Sequence, residues 1–240
     1  MKNKRANIVI VTIVFLSICV GVIFHMKKDA NTIFYEAVDG IVELKAESEV
    51  QNNYGSAVFI DSNLLVTNAH VVIYKNDGNM VPYDSFFIRF ADEEHYREVF
   101  LVQYDEVLDI AVLKFEDKEK NIRGVRIGNS DGLDFGNQIY AIGNSMNGGL
   151  SIAEGIIGIP EVFIEYEGIT RRMIQADVTI ASGNSGGALL NDKGELVGIT
   201  SCRVKDLNGN VVYGIAYSIP INQVMNYIDF SSNPNWKESH

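Results

Sequence analysis

Short stretches rich in Val, Ile, Tyr and Phe follow one another along most of this chain, each cut off after a few residues by Gly, Asn or Asp. Such runs read as β-strands joined by tight turns. No long helical pattern separates them, which excludes the alternating strand and helix order of a parallel α/β sheet. Nor is there the internal repeat of a solenoid. The expected fold is all-β: two antiparallel barrels of about six strands each. A helix closes the chain after Pro220, where Ile221, Val224, Met225 and Ile228 recur at i, i+3, i+4 and i+7.

The first 28 residues differ in kind. Lys2, Lys4 and Arg5 precede an uncharged run from Ala6 to Phe24, and Lys27 and Lys28 follow it. That run is long enough to cross a bilayer as a helix. No small-residue cleavage site follows, so an uncleaved N-terminal transmembrane helix is expected, with a cleaved signal peptide as its rival. The basic excess before the run places the N-terminus in the cytoplasm and the body outside, in the cell membrane or secreted if the segment is cleaved. The organisation that follows is an anchor over 1–28, a linker over 29–36, a body over 37–230 with barrels at about 37–120 and 135–220, and a polar tail over 231–240.

Five of the 20 Lys and Arg flank the apolar run, which leaves 15 against 31 Asp and Glu. So acidic a body excludes nucleic acid as a partner, since that interface needs a positive footprint. Cys19 lies inside the apolar run and Cys202 in the body, so the body forms no internal disulfide, and a Cys/His zinc site is excluded.

Chemistry concentrates at Gly183-Asn184-Ser185-Gly186-Gly187. A serine hydroxyl becomes a nucleophile only beside a base, and the oxyanion it generates needs backbone N–H donors. Glycines without Cβ atoms let the chain turn tightly and leave the N–H groups of Gly183 and Ser185 free to point at one spot. A glycine-rich surface turn is the alternative. The base must come from four histidines: His25 is at the membrane edge, His240 is terminal, and His95 follows Asp92-Glu93-Glu94 in an exposed acidic turn. His70 remains, at the end of the strand Leu64–Thr67. A carboxylate must hold its tautomer, and Asp109 opens the apolar run Ile110-Ala111-Val112-Leu113, which buries it, whereas Asp105 and Glu106 read as surface charge.

Other stretches are expected as follows. Lys75 to Tyr83 is a polar surface loop, and Glu116 to Lys120 a solvated link between the halves. Ser151–Ile159 and Glu161–Glu167 form a hairpin about Pro160, and Asn208-Gly209-Asn210 turns a second.

These residues resemble a known family. Thr67-Asn68-Ala69-His70-Val71-Val72, Asp109-Ile110-Ala111-Val112-Leu113-Lys114 and Gly183-Asn184-Ser185-Gly186-Gly187-Ala188-Leu189 are similar, in the same His, Asp, Ser order, to the trypsin-fold serine proteases of the HtrA/Deg type. Ala141–Ser145 with Gly155-Ile156-Ile157, and Gly214–Pro220, extend the resemblance from about Ala37 to Ile228. It implies an endopeptidase that cleaves exposed or unfolded segments of extracytoplasmic proteins through an acyl-enzyme on Ser185. His70 is then the base and Asp109 its orienter, with an oxyanion hole from Gly183 and Ser185, helped by Asn184. The resemblance likewise implies no metal or cofactor. Ile180, Ser201, Cys202 and Arg203 are implied to line the specificity pocket. Arg203 stands where the family has a small or apolar residue, which points to small or acidic P1 residues. The chain is expected to lack the PDZ domain common after such proteases. Phe34 and Tyr35 match the aromatic contacts of the family's homotrimers, against the reading of a linker packed on its own barrel. Two further readings stand beside these: a non-catalytic binding protein on the same fold, and a secreted glutamyl-endopeptidase-like enzyme.

Overall fold

The computed structural model describes residues 27–116, 122–166, 168–205 and 211–231. The anchor expected over 1–28 therefore lies, but for Lys27 and Lys28, outside the described residues, as does the tail from residue 232. Among the described residues no helix is long and apolar enough to cross a membrane.

The connector expected at 29–36 is instead helical: α1 spans Ala30–Ala37. Asp29 caps it, accepting the Thr32 N–H at 2.8 Å. Ile33 and Ala37, one turn apart, are buried on the barrels. Phe34 packs against the same core, while Tyr35 beside it is 69% exposed.

The first sheet is built from β1 (Ile41–Glu47), β2 (Asn52–Phe59), β3 (Leu64–Thr67), β6 (Ser85–Arg89), β7 (Arg97–Asp105) and β8 (Ile110–Lys114). They pair in the order β1-β2-β3-β8-β7-β6, and β6 returns to β1 to close a barrel. β4 (Ile73–Asn76) and β5 (Asn79–Pro82) form a separate two-stranded hairpin where a polar loop was expected. The missed signal is Asp77-Gly78: both residues take positive φ, the geometry of a tight two-residue hairpin turn.

The second sheet comprises β9 (Gln138–Asn144), β10 (Leu150–Tyr166), β11 (Ile169–Asp177), β12 (Ala188–Asn191), β13 (Leu196–Lys205) and β14 (Val211–Pro220). Its order is β10-β11-β14-β13-β12-β9, with β9 paired back onto β10. The hairpin expected about Pro160 is absent, because β10 runs straight through it. The first part of β10 pairs with β9 and the rest with β11, with register shifts between Ile157 and Val162. Pro160 sits in that irregular stretch without a register partner, where its missing N–H forfeits no ladder bond. Residues 117–121 and 206–210, which hold most of the solvated link and the second turn, lie outside the described residues.

One buried cluster fills the first barrel around Phe59, Phe90 and Phe115. A second, around Ile139, Ile174 and Leu189, fills the other. A third joins the two: Val58, Val66 and Val112 of the first sheet meet Ile142, Met173 and Ile199 of the second. The closing helix α3 (Ile221–Ser231) adds Ile221, Val224 and Ile228 to it. This shared core fixes the two sheets against each other, so a side chain from one can act on a loop of the other.

Candidate active site

His70 is not at a strand end but in α2 (Ala69–Val72), a single helical turn between β3 and β4. Asp109 lies just before β8, and β3 pairs with β8, Thr67 opposite Ala111. That register brings the start of α2 beside Asp109. The His70 Nδ1 stands 2.9 Å from Asp109 Oδ1 and 3.0 Å from Oδ2. The His70 main-chain N–H donates to Oδ1 at 3.1 Å, and the Ser201 hydroxyl donates to Oδ2 at 2.8 Å. The Asp109 side chain is 7% exposed and that of His70 is 46% exposed, so the ring presents an edge to solvent.

Burial by itself pushes the Asp109 carboxyl up. The charge of the adjoining His70, with the hydrogen bonds from His70 and Ser201, outweighs that effect and holds it below the ordinary carboxylate range. An ionised Asp109 selects the tautomer that carries its proton on Nδ1, leaving Nε2 of His70 as an acceptor.

Ser185 stands in the loop before β12. Its main-chain carbonyl accepts the Ser56 N–H at 2.8 Å, and its hydroxyl donates to the Ser201 carbonyl at 2.8 Å. No hydrogen bond joins that hydroxyl to His70 among the described residues.

The orientation of the loop's N–H groups follows from what grips their peptides. In a trans peptide the C=O and the N–H point opposite ways. The Ser182 carbonyl accepts the Met146 N–H at 2.7 Å, which turns the Gly183 N–H away from Met146. The Asn184 carbonyl accepts the Gly187 N–H at 2.9 Å and the buried Thr200 hydroxyl, which turns the Ser185 N–H away from both. Neither the Gly183 nor the Ser185 N–H donates to another described residue. Asn184 differs from its expected part: its N–H goes to the Ala181 carbonyl at 3.1 Å and its side-chain oxygen accepts from Ser145 at 2.8 Å.

The glycines are there for space. Gly183 has φ +92°, and a Cβ on it would lie 2.1 Å from the Asn144 carbonyl oxygen; Gly186 has φ +83°, and its Cβ would lie 2.1 Å from both Ser56 O and Thr67 Oγ1. Only glycine fits either position.

Of the residues expected to line a specificity pocket, Ile180 is 7% exposed in the second barrel's core. Ser201 spends its hydroxyl on Asp109. The side chains of Cys202 and Arg203 lie outside the described part. His95 is exposed and apart from the constellation.

Three residues that hold this site were not legible beforehand. Ser56, fully buried in β2, donates its hydroxyl to the Gly183 carbonyl at 2.8 Å and accepts the Asn144 N–H at 2.9 Å. Glu43, 4% exposed on β1, accepts from Arg89 at 2.8 Å and from Asn144 of the second sheet at 3.2 Å. The third is Asn68. A polar residue inside an apolar strand was the available signal for Ser56 and Glu43, but it names no partner.

Two six-stranded antiparallel sheets, with an Asp–His pair from one and a serine on a glycine loop of the other, define a trypsin-like fold. The chain belongs to the trypsin-like peptidase domain family, whose model matches residues 55–199. It is similar to a probable periplasmic serine endoprotease, DegP-like, of Buchnera aphidicola subsp. Baizongia pistaciae, 35% identical over 178 residues, 72% of this chain and 35% of that protein. It is also similar to the periplasmic serine endoprotease DegP of Escherichia coli strain K12, 33% identical over 175 residues, 72% of this chain and 34% of that protein. Among solved structures it matches an HtrA-type protease, AlgW with tripeptide, at a TM-score of 0.72 and 28% identity, over 84% of this chain and 63% of that one. The chain thus spans about a third of the length of these curated relatives.

Proposed function

We propose that this chain is a serine endopeptidase that cleaves exposed or unfolded segments of extracytoplasmic proteins through an acyl-enzyme on Ser185. The observation that carries this reading is the pairing of a buried, ionised Asp109 with Nδ1 of a half-exposed His70. Family membership and relatives named as periplasmic serine endoproteases support it.

In this reading the Ser185 hydroxyl first leaves the Ser201 carbonyl and turns to His70 Nε2, a rotation of its own side chain. Ser185 Oγ then attacks the substrate carbonyl while His70 takes its proton, and Asp109 stabilises the imidazolium. The Gly183 and Ser185 N–H groups receive the oxyanion. His70 returns the proton to the leaving amine, which departs, and water attacks the acyl-enzyme by the same relay in reverse. Specificity rests with the surroundings of Ile180, Ser201, Cys202 and Arg203, with small or acidic P1 residues preferred. The N-terminal segment 1–28 anchors the catalytic body outside the membrane, and the exposed Tyr35 with Phe34 offers an aromatic contact for a homotrimer.

Unfolded casein and a sulfonyl fluoride, each offered to the unmutated chain and to Ser185→Ala, test the central reading. Cleavage and covalent labelling are expected of the unmutated chain alone. A folded chain that neither cleaves nor is labelled would sink it.

A further inference from the structure

Asn68 occupies the N-cap of α2, where an asparagine side chain ordinarily accepts an N–H of the first turn. Here it makes no such bond. The His70 N–H of that turn goes to the Asp109 carboxylate at 3.1 Å, and Asn68 turns its Nδ2 to the Asp109 main-chain carbonyl at 3.2 Å. The two residues have exchanged duties: Asp109 caps the helix that carries His70, and Asn68 grips the backbone that carries the carboxylate.

That backbone needs a grip. Asp109 has φ +56°, the left-handed region that any side chain disfavours and that persists only where the surroundings impose it. From this conformation its carboxylate meets the His70 ring, the His70 N–H and the Ser201 hydroxyl together. Asn68 meanwhile is fully buried, and its Oδ1 has no hydrogen-bond partner among the described residues. A buried acceptor left unpaired is a cost, so the amide is retained there for what its donor end does.

We infer that Asn68 is a positioning residue of the triad: by clamping the Asp109 carbonyl it keeps Asp109 in the left-handed conformation from which the carboxylate reaches the His70 ring. This deepens the hydrolytic reading, on which its catalytic meaning rests, but the clamp can be tested without a substrate. The full chain, labelled with ¹⁵N-histidine, is observed by NMR as Ser185→Ala alone and with Asn68→Ala added. A displaced carboxylate lengthens the hydrogen bond from the ring, so the His70 Nδ1–H resonance moves upfield and exchanges faster with solvent in the Asn68→Ala chain. Leu44→Ala, a cavity in the first barrel's core, lowers the melting temperature without moving that resonance. A folded Asn68→Ala chain whose His70 Nδ1–H resonance stands where its parent's does overturns the inference.

A second measurement needs no variant of Asn68. In the parent chain the Asn68 Nδ2 protons are expected to exchange slowly with solvent and to show a scalar coupling across the hydrogen bond to the Asp109 carbonyl carbon. Nδ2 protons with no such coupling overturn the inference even if Asn68→Ala fails to fold. Because neither readout uses a substrate, a chain that passes both but cleaves nothing would lose the hydrolytic reading and keep the clamp.

Discussion

Gly186 and Gly136 offer a matched pair of substitutions. Both have φ well above zero, +83° and +74°, so alanine at either incurs a similar backbone strain, about 1 kcal/mol. Around Gly136 no atom of the described residues lies within 4 Å of a new Cβ, so the cost of Gly136→Ala ends there. At Gly186 the new Cβ lands 2.1 Å from Ser56 O and from Thr67 Oγ1, so both must withdraw by about an ångström to reach ordinary contact. Those two atoms are bonded to each other at 2.7 Å in a buried setting. Forcing them apart adds about 1–3 kcal/mol of overpacking and about 1–3 kcal/mol for the buried hydrogen bond. Gly186→Ala should therefore cost about 3–7 kcal/mol against about 1 for Gly136→Ala. At about 2–4 °C per kcal/mol for a body of this size, thermal melts should separate the two variants by several degrees at least. Urea titration of the same proteins checks the free energies directly. If Gly186→Ala melts within a degree of Gly136→Ala, the packing described for the Gly183–Gly187 loop is wrong.

Asp109→Asn should lower kcat by about 10⁴ by leaving His70 in the wrong tautomer, read from initial rates on casein. The same variant carries a pH signature. Because the folded Asp109 pKa lies below its unfolded value, its ionisation stabilises the fold above about pH 4. That contribution is lost as pH falls through the lower, folded value, so in urea titrations the unmutated chain should lose stability below pH 4 more steeply than Asp109→Asn. At the alkaline end burial, with Asp105 nearby, pushes the Tyr227 hydroxyl up to about 12. The unfolded chain ionises this group near pH 10, so folding loses stability from about pH 10 up to about 12, and Tyr227→Phe should flatten that decline in the same titration.

The sequence order His70, Asp109, Ser185 and the glycines around the serine were readable because each has a local cause: an apolar run that buries a carboxylate, small residues where no Cβ fits, and few histidines to choose among. The missed parts have causes distant along the chain. Ser56 bonds to Gly183 across 127 positions, and Asn68 to Asp109 across 41; no window of neighbours contains either pair. The pocket role of Ser201 comes from the family resemblance alone, and its hydroxyl reaches Asp109 only once β13 is laid beside the first barrel. The helical α1 was local after all. Asp29 precedes Ile33 and Ala37 as a cap precedes an apolar stripe.

The bonds that Ser56 sends to Gly183 and Ser185 also bear on how the chain is made. Loop closures of this span are entropically costly and form late in folding. A nascent chain can complete its first barrel, His70 and Asp109 included, while residues beyond 180 are still being synthesised. Until the second barrel docks, the loop that carries Ser185 lacks the bonds from Ser56 to its Gly183 and Ser185 carbonyls. Under the proposed function, the fold thus ties the arrival of reactivity to docking of the second barrel, so that a half-made chain is chemically silent towards its own unfolded segments.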